Sequence, residues 1–216
     1  MVARTIRLLT SAATIVMSGE GGKLRLFVAI TLAEGIKSPL SALQREWRER
    51  LRHPSISWTR PENFHLTLRF LGDVPSNQLD DLTAALAGAV APQAPMRLEV
   101  VGLGCFPNLR RPRILWAGVR DEAGELAELA RRIVETTNSF SSKPAEERFT
   151  GHLTLARVGR VGGDGSSIID RFIRETAVRS AGSWRVDSVE LVRSELHTAG
   201  SRYTTLARLP MSGVPH

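Results

Sequence analysis

The sequence predicts a mixed α and β fold whose two halves resemble each other. Short apolar runs rich in β-branched residues alternate with amphipathic segments, which is typical of strands alternating with helices. The tetrapeptide His-Leu-Thr-Leu occurs twice, at 65–68 and at 152–155, and each copy follows a helical segment and a proline. Several predicted strands lie close enough along the chain for antiparallel pairing.

The first half of the chain begins with a leader, residues 1–22, which we expect to be loosely ordered and outside the chemistry. The main domain is predicted to span 23–212. No stretch approaches the roughly 20 apolar residues of a membrane span. The predicted elements of this half are a strand at 24–32, a helix at 34–51, a strand at 64–73, a helix capped by Ser76 and ending near Val90, and strands at 96–103 and 114–119.

The second half repeats the order of helix, proline and strand. The helix is predicted at about 122–140, and Pro144 leads into a strand at 148–159 that contains the second tetrapeptide. A glycine-rich turn and a short helix at 168–176 follow. Two closing strands are predicted at 184–196 and 202–209.

The composition describes a globular protein that attracts anions. The chain has 216 residues, a hydrophobic share of 42%, a charged share of 24% and a formal net charge of +7. These shares argue against disordered and fibrous proteins, and the positive charge favours phosphate-rich partners. Arginines such as Arg45, Arg48, Arg50 and Arg52 also fit an ordinary solvated helix face. The single cysteine, Cys105, has no base beside it in sequence and is expected to be a small core residue.

The repeated tetrapeptide places chemistry on one side of a strand. Since side chains alternate along a strand, His65 and Thr67 point to one face and the two leucines to the other. The same holds for His152 and Thr154. Two unrelated copies would arise by chance only a few times in a thousand, so the repeat favours a shared function over two independent core histidines.

Two imidazoles and two hydroxyls suit phosphodiester chemistry without a metal. A neutral imidazole accepts a proton from water, an imidazolium donates one to the leaving oxygen, and hydroxyls bind the phosphate oxygens. A His-x-Thr spacing is not a zinc signature, and the glycine-rich turns lack the Lys-Ser/Thr of a phosphate loop. We therefore predict no metal site and no cofactor.

Other residues are weaker candidates. Trp58, Phe64 and Phe149 either stack on a nucleobase or complete the core, and packing is the commoner role for aromatic residues near strand ends. Asp73 is more typical of a turn than of a cleft. Arg157 follows the second tetrapeptide closely, although simple alternation directs it away from His152.

The motifs resemble a known superfamily. FHLTL and GHLTLAR, with RLFVAI near the start and RYTTL near the end, are similar to the 2H phosphoesterases, which are named for two His-x-Thr/Ser-x motifs. Within that superfamily the sequence most resembles the bacterial and archaeal RNA 2′,3′-cyclic phosphodiesterases, also called 2′-5′ RNA ligases. The resemblance covers roughly residues 24–210.

The resemblance implies a bilobal, duplicated α+β fold with two antiparallel sheets and flanking helices around a central cleft. It makes His65 the proton donor and His152 the proton acceptor, with Thr67 and Thr154 binding phosphate. Further cleft support is expected from Arg157, Arg202, Tyr203 and Phe149. Family members often have proline where this chain has Gly151, which predicts a looser backbone before His152. The stretch 162–183 has no clear counterpart in the family pattern.

The implied substrate is RNA ending in a 2′,3′-cyclic phosphate, such as a tRNA half, which would be hydrolysed to the 2′-phosphomonoester or ligated in reverse. We also expect a monomer in the cytoplasm that does not bind membranes. Two alternatives remain open from sequence. One is a 2H enzyme acting on a small cyclic nucleotide or a 2′,5′-oligonucleotide, and the other is an RNA-binding module without turnover.

Overall fold

The computed structural model describes residues 22–145, 148–160, 163–176, 180–198 and 200–214. The predicted leader, residues 1–22, therefore lies outside the described residues except for Gly22. None of the helices in these ranges is long and apolar enough to cross a membrane.

The described residues form nine strands and four α-helices. The strands are β1 Lys23–Thr31, β2 Ile56–Trp58, β3 His65–Pro75, β4 Met96–Phe106, β5 Ile114–Arg120, β6 His152–Val158, β7 Ser180–Val186, β8 Ser188–His197 and β9 Gly200–Pro210. The helices are α1 Glu34–Arg50, α2 Leu79–Val90, α3 Glu125–Thr137 and α4 Gly163–Glu175.

The strands form one curled antiparallel sheet with the order β7-β4-β5-β6-β3-β1-β8-β9, and β2 pairs with β6. We call β3, β1, β8 and β9 the first lobe, and β6, β5, β4 and β7 the second lobe. The predicted mixed fold with two similar halves is confirmed. Its two sheets are continuous at one point, because β3 and β6 pair only through Leu66 and Leu153.

The two lobes exchange helices. Helix α1 follows β1 of the first lobe but packs against β7 of the second, while α3 follows β5 of the second lobe but packs against β3 of the first. Helix α2 packs on α3 and β9. Each lobe thus buries a helix supplied by the other half of the sequence, which ties the halves into one hydrophobic core.

The core lies on one face of the sheet and leaves the other face for the site. Leu66 and Leu153 are completely buried among the residues that face the helices. A separate small cluster of Phe27, Ala29 and Val192, with Tyr203 packed against it, lies on the opposite, helix-free face of the first lobe.

Two local predictions were wrong. The segment 184–196 is not one closing strand: β7 ends at Val186 and pairs with β4, whereas β8 begins at Ser188 and pairs with β1. The chain therefore crosses from one lobe to the other at Asp187, and alternation along the sequence does not reveal such a change of partner. Ser76 begins a short 3-10 helix without a side-chain cap, and α2 begins at Leu79.

Candidate active site

The two tetrapeptides meet where the lobes join. Leu66 of β3 and Leu153 of β6 are antiparallel partners. In that register His65 is the neighbour of Thr154, and Thr67 is the neighbour of His152. Because the two leucines face the core, the histidines and threonines project from the helix-free face. The join thus brings two residues from each motif together on one face of the sheet, and we refer to this site as the cleft.

Both histidines are held by the same local hydrogen bond. Nδ1 of His65 lies 2.7 Å from the carbonyl oxygen of Asn63, and Nδ1 of His152 lies 2.7 Å from that of Thr150. A carbonyl oxygen only accepts, so Nδ1 donates in each case. The proton of each neutral ring is thereby fixed on Nδ1, which leaves Nε2 as the nitrogen available for proton exchange.

His65 lies in an aromatic corner of the first lobe. Its ring centre is 4.8 Å from that of Phe27 and 5.2 Å from that of Tyr203. Burial lowers the pKa of His65 below 6.5, against the opposing effect of its bond to Asn63. Electrostatic effects of His152 and Arg157 lower this pKa further.

His152 has different aromatic neighbours. Its ring centre lies 4.9 Å from that of Phe106 on β4 and 6.4 Å from that of Trp116 on β5. The indole of Trp116 crosses the strand surface at Gly104, where any Cβ would collide with the ring. Gly104 is therefore required for the Trp116 ring to lie across β4 in the second lobe.

Each tetrapeptide contains a β-bulge at its last leucine. In the first lobe Thr67 pairs with Ala29 and Arg69 with Val28, so Leu68 has no partner. In the second, Thr154 pairs with Trp116 and Ala156 with Leu115, so Leu155 is the extra residue. Two consecutive buried residues mark each bulge in the burial pattern.

The bulges shift the alternation of the residues that follow. Beyond the extra leucine, Arg69 and Ala156 face the core, and Phe70 and Arg157 return to the helix-free face with the histidines. The prediction that alternation directs Arg157 away from His152 was therefore wrong. Phe70 is 49% exposed and lies 6.0 Å from the ring centre of Phe27, so it adds an open aromatic surface to the first lobe.

Gly151 is held tightly rather than loosely. The backbone N–H of Val119 donates to the Gly151 carbonyl over 2.9 Å. A Cβ at this position would lie 2.6 Å from the carbonyl oxygen of Val119. The expected looseness before His152 was therefore wrong, because the close approach of β5 fixes this part of the backbone and excludes a side chain from it.

Comparison with known proteins identifies the family. The LigT like phosphoesterase family model matches residues 30–116 and 118–203, one match for each half of the chain. The chain belongs to this family. The resemblance to the 2H phosphoesterases is thereby confirmed.

Relatives of this LigT-like phosphoesterase include proteins named RNA 2′,3′-cyclic phosphodiesterase. That of Methanothermobacter thermautotrophicus is 31% identical over 184 residues, which cover 85% of this chain and 97% of the relative. That of Geobacillus stearothermophilus is 31% identical over 189 residues, covering 88% of this chain but only 58% of the relative. The E. coli LigT structure with 3′-AMP has a TM-score of 0.67 and 26% identity, and it matches 88% of this chain and 99% of that one.

Several residues predicted for the site have other surroundings in the LigT-like phosphoesterase. Phe64 is only 2% exposed and belongs to the core, so its stacking alternative was wrong. Phe149 also packs against the core. Arg202 is exposed and precedes Tyr203, so alternation directs the arginine away from the face that carries His65. Tyr203 lies at the site, as its contact with His65 shows.

The surroundings of three further residues, Trp58, Asp73 and Cys105, are those of structural rather than catalytic side chains. Trp58 pairs with Ala156 on β6 and is half-buried against the core. Asp73 is an exposed residue of β3, and the Ser142 hydroxyl accepts a hydrogen bond from its backbone N–H. Burial raises the pKa of the Cys105 thiol and the charge of Asp170 raises it further, so the thiolate is disfavoured.

Within the described ranges, no group of three or more histidine, cysteine, aspartate or glutamate residues is placed to hold a metal ion. Sequence reasoning missed Phe27, Phe70, Phe106 and Trp116. Only Phe70 had a signal, because it stands five residues after His65 just as Arg157 stands five after His152.

Proposed function

We propose that this LigT-like phosphoesterase hydrolyses 2′,3′-cyclic phosphate ends of RNA to 2′-phosphomonoesters by acid and base catalysis with His65 and His152. The observation that carries the proposal is the single pairing of Leu66 with Leu153, which sets both motifs around one point. A reaction that moves one proton onto a leaving group and another off water needs two such groups on opposite sides of one phosphorus.

In the proposed reaction His152 accepts a proton from water as its oxygen attacks phosphorus. The bond between phosphorus and O3′ breaks, and His65 gives its proton to O3′, which leaves as a hydroxyl. The phosphate remains on O2′. The hydrogen bonds from Nδ1 to the carbonyls of Asn63 and Thr150 hold each Nε2 in place for these transfers.

Thr67 and Thr154 are proposed to donate hydrogen bonds to the nonbridging phosphate oxygens. Each threonine is the cross-strand neighbour of the other motif's histidine, so the two hydroxyls alternate with the two rings around the cleft. The guanidinium of Arg157 adds positive charge on the same face. Donors fixed before the reaction stabilise the charge that builds on phosphate at little cost in reorganisation.

His65 must carry a proton to act as the acid, although its surroundings lower its pKa. Burial is the main cause and the charge of Arg157 contributes, so both favour the neutral ring. An anionic phosphate favours the imidazolium instead, since opposite charges raise the pKa of a histidine. Substrate binding is thus proposed to bring the donor proton onto His65, so the acid forms where it is used.

The RNA substrate is inferred from relatives and from charge. Curated relatives carry the name RNA 2′,3′-cyclic phosphodiesterase, and the E. coli LigT structure contains the nucleotide 3′-AMP. The net charge of +7 favours a polyanion. We further propose that the protein acts as a monomer in the cytoplasm, that tRNA halves are among its substrates, and that the reverse reaction ligates ends through a 2′,5′ bond.

The test is turnover of a defined RNA in the presence of EDTA. We expect the purified protein to convert an oligonucleotide ending in 2′,3′-cyclic phosphate to the 2′-phosphate product, with His65→Ala and His152→Ala as inactive controls. Turnover that occurs only when metal is added would contradict the mechanism. RNA binding without any turnover would instead support a binding module.

A further inference from the structure

A basic groove lies beside the carboxyl end of α1, outside the cleft. It has a volume of about 490 Å³ and is lined by Arg45, Arg48, Arg52, His53 and Trp58, with Glu49 as the one acid of its lining. We refer to it as the α1 groove. The three arginines are exposed and His53 is half-buried.

The arginines of the α1 groove differ from those on the other helices. On α3 and α4, Arg131, Arg171 and Arg174 each pair with an acid three or four residues away. By contrast, Arg45, Arg48 and Arg52 form no ion pair among the described residues. Arg45 and Arg48 stand three residues apart on α1 and Arg52 follows just after the helix, so like charges lie close together, which is slightly destabilising. Unpaired clustered cations are the state expected of a surface that awaits an anion.

The electrostatics of the helix end do not account for all three. A cation near the last turn of α1 interacts favourably with the helix dipole. Arg48 and Arg50 both occupy that turn, so the dipole favours Arg48 but not Arg45, which lies before the turn. The guanidinium carbon of Arg50 lies 4.8 Å from the ring centre of Phe172. Arg50 is therefore a packing residue, whereas the arginines of the α1 groove face open space.

A path along β6 and around β2 joins the cleft to the α1 groove, because Trp58 of the groove lies on the opposite side of β2 from Ser57. Arg157, on the cleft face of β6, is the register partner of Ser57 on β2. The Ser55 hydroxyl donates to the carbonyl of Arg160, and the backbone N–H of Ser55 donates to Nδ1 of His53. No acid occurs between 148 and 163 or between 50 and 61.

The length of this path suits a polynucleotide. Thr154 and Val158 are four residues apart on β6, about 13 Å at a rise of ~3.3 Å per residue. Val158 pairs with Ile56, which lies between His53 and Trp58. A mononucleotide bound at the histidines therefore ends short of the α1 groove, whereas a chain of a few nucleotides reaches it.

We propose that the α1 groove binds the sugar-phosphate backbone of the RNA whose cyclic end lies at His65 and His152, with Trp58 offering its ring edge or face to a base. This inference rests on the proposed function and extends it. The enzyme would then select polymeric RNA ends over cyclic mononucleotides by charge contacts remote from the reacting phosphate.

The test compares two substrates. We would measure kcat/KM for a ten-nucleotide RNA ending in 2′,3′-cyclic phosphate and for a 2′,3′-cyclic mononucleotide, using the full chain and the variant Arg45→Gln/Arg48→Gln/Arg52→Gln. We expect KM for the oligonucleotide to rise about tenfold at low salt, and its logarithmic salt slope to fall by about 2, since each single-strand contact contributes ~0.7. The preference for oligonucleotide over mononucleotide should fall by the same factor.

The matched control is Arg131→Gln/Arg171→Gln/Arg174→Gln, which removes the same charge from α3 and α4. It should retain the wild-type preference. If both triple variants lowered the oligonucleotide rate equally, the effect would be one of net charge and the α1 groove would not be the site. The single change Arg48→Glu serves as a second variant should the triple variant fold poorly.

A binding measurement separates this inference from the catalytic proposal. Fluorescence anisotropy with the same RNA ending in a 2′-phosphate measures RNA binding to the protein in the absence of turnover. Weaker binding by the α1 variant alone supports the groove even if the wild type hydrolyses neither substrate, a result that would contradict the proposed function only. Equal binding by wild type and α1 variant would overturn the groove.

Discussion

The two lobes carry the same motif on the same bulged strand but surround it with different side chains. In the first lobe Thr67 pairs with Ala29, whose other neighbour is Glu190. At the matching positions of the second lobe Thr154 pairs with Trp116, whose other neighbour is Gly104. The large side chain next to the motif is therefore Glu190 on β8 in the first lobe and Trp116 on β5 in the second.

The residues after the bulge differ even more. Phe70 gives the first lobe an exposed ring, and Arg157 gives the second a positive charge on the same face. Glu190 is buried and accepts hydrogen bonds from the hydroxyls of Thr31 and Thr205, so its carboxylate is occupied within the first lobe. The repeated backbone therefore positions the two histidines in the same way, whereas the different side chains around them make their environments unequal.

The largest expected effect comes from the histidines themselves. His65→Ala and His152→Ala should each lower kcat by about 10² to 10⁴, the usual contribution of a general acid or base. On an activated aryl phosphodiester, whose leaving group needs no proton, His65→Ala should recover much of its rate and His152→Ala should not. Equal recovery of both variants would mean that the lobes are not divided into acid and base.

The threonines come next. Thr67→Val and Thr154→Val preserve shape and strand preference but remove a donor from the phosphate. Each should lower kcat by about 10² to 10³, as the loss of one oxyanion donor does. Thermal unfolding of both variants should match wild type. Full activity in either variant would place the phosphate away from that lobe.

A smaller effect is expected at the position where the lobes differ. Phe70→Ala should raise KM about tenfold with little change in kcat, since loss of one stacked base contact costs roughly 1–3 kcal/mol. Arg157→Gln should lower kcat as well, because its charge lies beside the reacting phosphate. Steady-state kinetics on a cyclic mononucleotide measures both, and the α3 and α4 arginine variant provides the control. If Phe70→Ala and Arg157→Gln changed kcat and KM in the same way, the two residues would not have different roles in the two lobes.

The smallest effect concerns stability and pH. The pKa of His65 is lower in the folded protein than its ordinary value of 6.5, so the unfolded chain takes up this proton more readily. The contribution of His65 to stability is therefore complete above about pH 6.5 and declines as pH falls through the folded pKa. The free energy of unfolding, measured with urea, should fall less between pH 7.5 and pH 5.5 for His65→Asn than for the wild type. A steeper loss in the variant would show that His65 is not desolvated.

The sequence was sufficient to predict that the histidines and threonines of the two motifs lie together, because exact repetition is visible without any partner strand. It was also sufficient for most helices and strands, since their periodicity is local. The bulges at Leu68 and Leu155 could not be predicted, because a bulge is defined by the register of a neighbouring strand. For the same reason the contacts of Phe106 and Trp116 with His152 were missed. The crossing at Asp187 required knowledge of which strand pairs with β4.

The most direct test of the account is a crystal structure of the protein with a 2′-phosphate nucleotide, the proposed product. We expect one phosphate group in contact with Nε2 of both His65 and His152. The hydroxyls of Thr67 and Thr154 should donate hydrogen bonds to the remaining oxygens of the same phosphate. A phosphate held by the motif of one lobe alone, with the other histidine turned away, would contradict the claim that the two lobes act on the same phosphorus.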